Sequence, residues 1–300
     1  MAMVTPKGRA NYEPNSWGTA GGPRENPALG FKSFPAPLEG EKVRIRSETF
    51  ADHYSQARMF YRSQLPIEQK HLGDALVFEL SKCVRPDIRA RSVSHLRNID
   101  EGLAATVANG LGLSLPDPAK AAKPTRDLPV SAKLSILANA PQSFRGRKMG
   151  LLLTDGSDAA LFNAITAALD AAGAVWEVIA PKIGGVVLND GVAVAARQKI
   201  DGGPSVLYDA VAVLPSAQGA ALLAMDAAAK DFVSDAFAHC KFIGVGADAE
   251  QLFAAARIPA ELDDGCIALG SAKAAEAFVE QCAALRFWPR ELSVDLDAVS

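Results

Sequence analysis

From Arg147 onward, short and mainly apolar runs alternate with longer stretches whose apolar residues recur every three to four positions. This alternation constrains the fold more than any other feature of the chain. Met149–Leu153, Val175–Ala180, Ala210–Leu214, Phe242–Val245 and Ile267–Leu269 are five runs of strand length. Between them, Leu161, Ile165, Ala168 and Leu169 share one helical face that stops at Gly173. Ala229, Phe232, Val233, Ala236, Phe237 and Cys240 share a second face, and Ala275, Phe278, Val279, Cys282 and Leu285 a third,. Strands that lack polar alternation are buried on both sides, which requires a parallel sheet with helices on each face. Val186–Leu188 and Val192–Val194 flank Asn-Asp-Gly, a hairpin turn sequence,. The expectation for residues 147–300 is an α/β domain of flavodoxin-like layout.

The chain ahead of this domain has a different texture. Residues 1–46 are rich in Gly, Pro and Asn and carry Tyr12, Trp17, Phe31 and Phe34 without helical or strand period. Such a segment cannot bury a core of its own, and its aromatics point to an arm that lies on another surface. Residues 47–113 read as helical. Pro66 suits a first turn, and Leu72, Ala75, Leu76, Leu80 and Cys83 form one stripe,. A second helix starts at Pro86 with Ile88, Val93, Leu96 and Ile99 as its apolar positions. A third runs from about Asp100 to Gly110, whose glycine suits a C-terminal cap,. These helices are too few to be stable unaided. Residues 114–146, with Pro116, Pro118, Pro124, Pro129 and Pro141, read as a partly extended linker where a protease is expected to cut, leaving a resistant C-terminal core,.

Charge and cysteine usage exclude several classes of function. The net charge is −3, with 15 Lys+Arg against 12 Asp+Glu in residues 1–115 and 16 against 22 in the remainder. No concentrated basic surface is present, so no nucleic-acid partner is expected. No apolar run reaches the ~18 residues of a membrane span. The first residues lack the apolar core of a signal peptide, and a cytoplasmic setting is the expectation. The four cysteines, Cys83, Cys240, Cys266 and Cys282, form no CxxC pair, which argues against a zinc ribbon or a disulfide framework. Cys83, Cys240 and Cys282 fall on apolar helical stripes and are expected to be small buried hydrophobes.

Open α/β sheets bind ligands beyond the C-terminal ends of their strands. The loop after the first strand, Thr154-Asp155-Gly156-Ser157-Asp158, is neither GxGxxG nor GxxxxGK[ST], and its two aspartates would repel a phosphate,. Asp155 or Ser157 is expected to cap the following helix. The strand–hairpin–strand order resembles the DJ-1/PfpI group, in which a cysteine stands at a sharp strand-to-helix turn. The matching stretch here is Phe242-Ile243-Gly244-Val245-Gly246-Ala247-Asp248, and the nucleophile position falls on Gly246. Cys240 lies before the strand. Its neighbour His239 would point about 100° away from it on a helix, so the two make no dyad. An independent hydrolase is therefore the weakest reading of this domain.

Asn11-Tyr12-Glu13-Pro14-Asn15-Ser16 resembles the N-Y-x-P-N-S motif that closes the barrel region of haem catalases. Gln56-Ala57-Arg58-Met59-Phe60-Tyr61-Arg62-Ser63 looks like the QxxxFY element that opens the catalase helical domain, followed by Glu68-Gln69 and a similar stretch from Leu80 to Arg91. A flavodoxin-like domain after those helices is the mark of the large-subunit catalases, and the order arm, helices, linker, α/β domain covers the whole chain. The resemblance implies a C-terminal part of a haem-dependent homotetramer that dismutates hydrogen peroxide to water and oxygen in oxidative-stress defence. In that family the distal His and Asn and the proximal, haem-ligating Tyr all precede N-Y-x-P-N-S. His53, His71, His95 and His239 match none of those positions; Tyr12 is the motif tyrosine, and Tyr54, Tyr61 and Tyr208 have no matching role. The NADPH contacts of small-subunit catalases fall on Gln56, Phe60 and Gln64, the last standing where the family has an apolar residue. The expectation is thus a chain with no catalytic, cofactor-binding or metal residue. Haem and NADPH would be absent, the role structural, and the partners a catalase barrel and the subunits of a tetramer. The alternative is a free-standing chaperone-like or binding module that acts on unfolded-protein clients.

Overall fold

The computed structural model describes residues 35–294. Tyr12, Trp17, Phe31, Phe34 and the Asn11–Ser16 motif lie outside the described residues. The chain divides into two compact units, Met1–Ala51 and Asp52–Ser300. In the described part of the first unit, residues 35–50 are all exposed and the one regular element is a 3-10 turn, Glu48–Ala51. There the Arg46 guanidinium sits over the Phe50 ring at 5.8 Å.

The second unit begins with four helices: α1 (Ser55–Arg62), α2 (Pro66–Ser81), α3 (Pro86–Leu96) and α4 (Glu101–Gly110). Pro66 and Pro86 open α2 and α3, where their missing N–H costs no intrahelical bond,. Asp100 caps α4 by accepting from the Leu103 N–H at 3.0 Å,. Val93, Leu96, Leu103, Ala104, Val107 and Ala108 form the core of the bundle, with Leu76, Val77 and Leu80 packed against it. Two expectations change here. Cys83 lies past the end of α2 and is half-buried, and Ala75 is exposed. Gly110 stays helical, and the left-handed residue that closes α4 is Gly112 (φ 64°), with the Leu113 N–H on the Ala108 carbonyl at 2.9 Å. That is the Schellman geometry, which places its glycine one residue beyond the cap.

The proline-rich segment after α4 has no long element but is bonded along its length. Arg126 pairs with Asp52 at 2.9 Å, and Asp127 accepts from Arg58 at 2.6 Å and Arg62 at 2.9 Å. The Ser131 N–H reaches Ser63 Oγ at 2.9 Å and the Leu137 N–H reaches Glu68 Oε1 at 3.0 Å. Glu68 Oε2 accepts from the Leu65 N–H at the start of α2 (2.8 Å), so one buried carboxylate ties a helix start to this strap.

The α/β part follows, with strands β1 (Lys148–Leu153), β2 (Val175–Ala180), β3 (Val186–Val187), β4 (Ala193–Val194), β5 (Gln198–Lys199), β6 (Ala210–Leu214), β7 (Ile243–Val245) and β8 (Cys266–Ala268). Its helices are α5 (Ala159–Ala171), α6 (Ala217–Leu223), α7 (Ala227–Ala238), α8 (Glu250–Ala255), α9 (Ala272–Gln281) and α10 (Glu291–Val294). One parallel sheet has the order β5-β2-β1-β6-β7-β8, and β3 pairs with β4 as the antiparallel hairpin expected around Asn-Asp-Gly. The five strands read from the sequence occupy the flavodoxin order; β5 adds two residues to the edge beside β2,. β1 shows why the runs are apolar throughout. Met149, Leu151 and Leu153 pack with Phe162 and Ile165 of α5 and Phe278 of α9, whereas Leu152 packs on the other face with Phe232 of α7 and Leu252 of α8. No helix of the described residues is long and apolar enough to cross a membrane.

Candidate functional site

β1 and β6 are adjacent, and the helices that follow them leave on opposite faces of the sheet, so a crevice opens beyond their C-terminal ends,. It encloses about 370 Å³ and is lined by Gly156, Asp158, Asn189, Ser216, Asp248 and Ser271 among others. Most polar groups around this crevice are spent on the fold, Asp248 of its lining being the exception among the described residues. Ser157, fully buried, accepts from the Thr154 N–H at 2.9 Å and donates to the Leu214 carbonyl at 2.6 Å, locking the ends of β1 and β6 together. Asp155 accepts from the Val187 N–H at 2.9 Å and so holds the hairpin. The cap of α5 is therefore neither Ser157 nor Asp155. Asp158 takes that place, accepting from Leu161 N–H at 2.9 Å, because the two residues before it are turned toward the sheet and the hairpin. Asn189 accepts from the Ala159 N–H at 3.0 Å. Ser216 caps α6 and also donates to the Asp155 carbonyl at 2.7 Å. A Cβ on Gly219 would fall 1.9 Å from Thr154 Oγ1, so only glycine lets α6 start this close to β1,.

No thiol reaches the crevice. At Gly246 a Cβ would stand 3.0 Å from the Val213 carbonyl oxygen and 3.2 Å from Leu214 Cα, so a thiol-bearing side chain would have to push the end of β6 aside by a few tenths of an ångström. Cys240 is buried beyond the end of α7 and not on its helical stripe. It adopts φ 54° while the Lys241 N–H closes on the Ala236 carbonyl at 3.0 Å, again a Schellman turn,. Burial pushes the Cys240 thiol up, raises Cys266 to about 12 and holds Cys282 well above its ordinary value. Buried thiols of this kind are poor nucleophiles. His239 is exposed and its Nδ1 lies 2.8 Å from the Asp235 carbonyl.

The other histidines and tyrosines serve packing. His95 Nδ1 meets the Tyr54 hydroxyl at 2.8 Å, His53 stands edge-on to the Tyr54 ring, and His71 Nε2 meets Glu291 at 2.8 Å. Tyr208 is buried and donates to Glu177 at 3.1 Å; its burial, with the Glu177 charge, raises its pKa. Gln56 is exposed and Phe60 partly so, while Gln64 is buried and spends its amide on the carbonyls of Phe60 (3.0 Å) and Leu134 (3.2 Å). Among the described residues no group of three His, Cys, Asp or Glu side chains is placed to hold a metal ion.

Two buried cations went unremarked in the sequence. Arg290 is 1% exposed and donates to both Asp263 oxygens (2.7 and 2.8 Å) and to the Lys241 carbonyl (2.6 Å), with its guanidinium over Phe237 at 4.4 Å. Lys241 donates to the Tyr208 carbonyl at 2.6 Å and to that of Ser205, and burial lowers its pKa to about 8. Neither position carries a local signal, because the partners come from distant parts of the chain.

Comparison with known proteins places this geometry. Residues 47–111 match the family model "Catalase-related immune-responsive", and residues 145–291 match "C-terminal domain found in long catalases". The chain is 54% identical over 298 residues to "Catalase C" of Rhizobium meliloti (strain 1021), covering 99% of this chain and 42% of that protein. It is 36% identical over 299 residues to "Catalase HPII" of Pseudomonas putida, covering 97% and 41%. It is 28% identical over 272 residues to "Catalase-2" of Bacillus subtilis (strain 168), covering 88% and 38%. The chain thus spans about 40% of the length of these curated relatives.

Proposed function

Because this chain belongs to the long catalases, of which it carries the C-terminal portion, we propose that it is a structural part of a haem enzyme that dismutates hydrogen peroxide, and that this stretch does none of the chemistry itself. The observation that carries the reading is the crevice of the α/β domain. Ser157, Asp158 and Ser216 around it are committed to backbone groups of the fold, and every thiol of the domain is buried in the core. A domain kept folded around a spent site contributes surface and stability, here to a cytoplasmic homotetrameric catalase whose barrel holds the haem. The haem ligand and the peroxide-handling His and Asn that the resemblance implies have no counterpart in these residues.

Titration of the purified chain with haemin, followed by absorbance and by oxygen evolution from peroxide, tests the proposal. Haem is expected not to be retained through gel filtration, with no oxygen released above the background of free haemin. Stoichiometric, tightly held haem with peroxide turnover would overturn it.

A second reading, a chaperone-like module, draws on the exposed apolar side chains of the helical part and strap: Phe78 at 62%, Val84 at 91% and Ile136 at 79% exposure,. Light scattering of an aggregating client decides it, and no suppression at equimolar ratio would eliminate it.

A further inference from the structure

Away from the crevice, a cavity of about 430 Å³ lies between α2, the end of α7 and the turn that leads into α10, lined by His71, His239, Cys240, Arg286, Trp288 and Glu291 with Ala238 and Val294. Its charges do not balance among themselves. Glu291 is already engaged, by His71 at 2.8 Å and by Lys70 at 3.4 Å. Arg286 is half-buried, and its Nη1 donates to the carbonyls of Asp209 (3.0 Å) and Leu285 (2.7 Å). Its Nε and Nη2 have no hydrogen-bond partner among the described residues, and it forms no ion pair there. The Asp209 carboxylate is turned to the Lys148 N–H (3.0 Å) and to Arg147 (3.6 Å) instead. Burial lowers the Arg286 pKa, and the charges of Asp209 and Cys240 restore only part of the loss. Guanidinium groups taken out of water are ordinarily matched by an anion. One further donor, the Trp288 indole N–H, lines the same space without a partner among the described residues; His239, whose Nδ1–H already donates to the Asp235 carbonyl, can donate from Nε2 only when its ring is protonated,. The indole itself is fixed by edge-on packing against His71, ring centres 5.1 Å apart.

We propose that this cavity binds a small aromatic carboxylate, its carboxylate on Arg286 and on His239 in protonated form, and its ring against Trp288. A guanidinium fork with two free parallel donors matches a carboxylate in bidentate fashion, and a held indole offers a flat ring a stacking surface. Glu291 is engaged by His71 and paired with Lys70, which offsets its repulsion of the anion.

Isothermal titration of the chain with benzoate tests this, with acetate and inorganic phosphate as parallel probes. Saturable benzoate binding is expected, at least tenfold tighter than acetate or phosphate. Trp288→Leu should remove the preference over acetate, and His239→Gln should weaken benzoate several-fold. Arg286→Gln should weaken it about tenfold or more. His239 is exposed, so its variant keeps the test valid if Arg286→Gln fails to fold. No saturable binding, equal binding of all three anions, or benzoate affinity unchanged in both Trp288→Leu and His239→Gln would each overturn the assignment.

Discussion

Arg290 shows how one side chain can hold the end of a domain together. It joins the turn at Asp263, the end of α7 and the last helical segment, and its own side chain is fully buried. Burial works against an ionised Asp263, but the hydrogen bonds and charge of Arg290 outweigh it and hold the carboxyl below its ordinary range. Arg290→Ala is expected to cost about 3–5 kcal/mol, the usual loss when one member of a buried pair is removed; urea unfolding measures it, and a cost under about 1 kcal/mol would mean the pair is solvated. Because Asp263 is depressed in the folded state, its contribution is present above the unfolded value near pH 4 and is lost as pH falls through the folded value. Asp263→Asn should therefore flatten the acid limb of the stability curve. At the same scale, thiol exposure separates the cysteines. Cys83 should react with a disulfide reagent in the native protein, and Cys240, Cys266 and Cys282 only after unfolding,. Rapid labelling of more than one thiol in the folded chain would contradict the placement of the other three.

Between residue and domain, the proline-rich strap carries the clearest consequence. Its prolines keep it extended, yet its backbone is tied to α1 and α2 by Ser55, Ser63 and Glu68 and by the Asp52 and Asp127 ion pairs. The exposed pairs add little, about 0–1 kcal/mol each. Buried Glu68 matters more, since burial alone would raise its pKa and the N–H groups of Leu137 and Leu65 lower it instead. Glu68→Ala should cost about 2 kcal/mol and leave two backbone donors unpaired. Limited proteolysis should then cut between residues 116 and 141 readily in the variant and only slowly in the wild-type chain, where these bonds replace the open linker expected from the prolines alone. Equal strap cleavage in both proteins would show that Glu68 does not anchor it.

Across the whole molecule, alkaline pH sets opposing linkages against each other. Three buried thiols have raised folded pKa values, so their stabilisation is full below the unfolded value of about 8.5 and is lost as pH rises above it,. Lys241 runs the other way. Its folded pKa of about 8 lies below the unfolded ~10.4, so stability gains as pH rises between those values,. Each fully differential group contributes about 1.4 kcal/mol per pH unit, and the two strongly shifted thiols, Cys266 and Cys282, outweigh one lysine. Stability should fall from about pH 9 upward. Cys282→Ala should make that fall shallower, and an unchanged slope in urea melts at pH 8.5 to 10.5 would assign the titration to other groups.

Periodicity alone specified the five parallel strands, the hairpin and the principal helices, because burial on both faces of a sheet leaves a run with no polar gaps. The resemblance to the DJ-1/PfpI group placed Gly246 where that group has its nucleophile. The two-residue β5 and the short α6 and α8 left no such trace, since elements of that length need no pattern to be buried. Tertiary contacts alone chose Asp158 over Ser157 as the cap of α5: both residues can cap, and only the distance from Ser157 to the Leu214 carbonyl turns it inward. They also decided that Arg290 and Lys241 are buried and that Arg286 faces a cavity without an ion-pair partner among the described residues. A charged side chain reads as solvated in any local window, and its burial becomes favourable only when partners tens of residues away arrive with the right geometry.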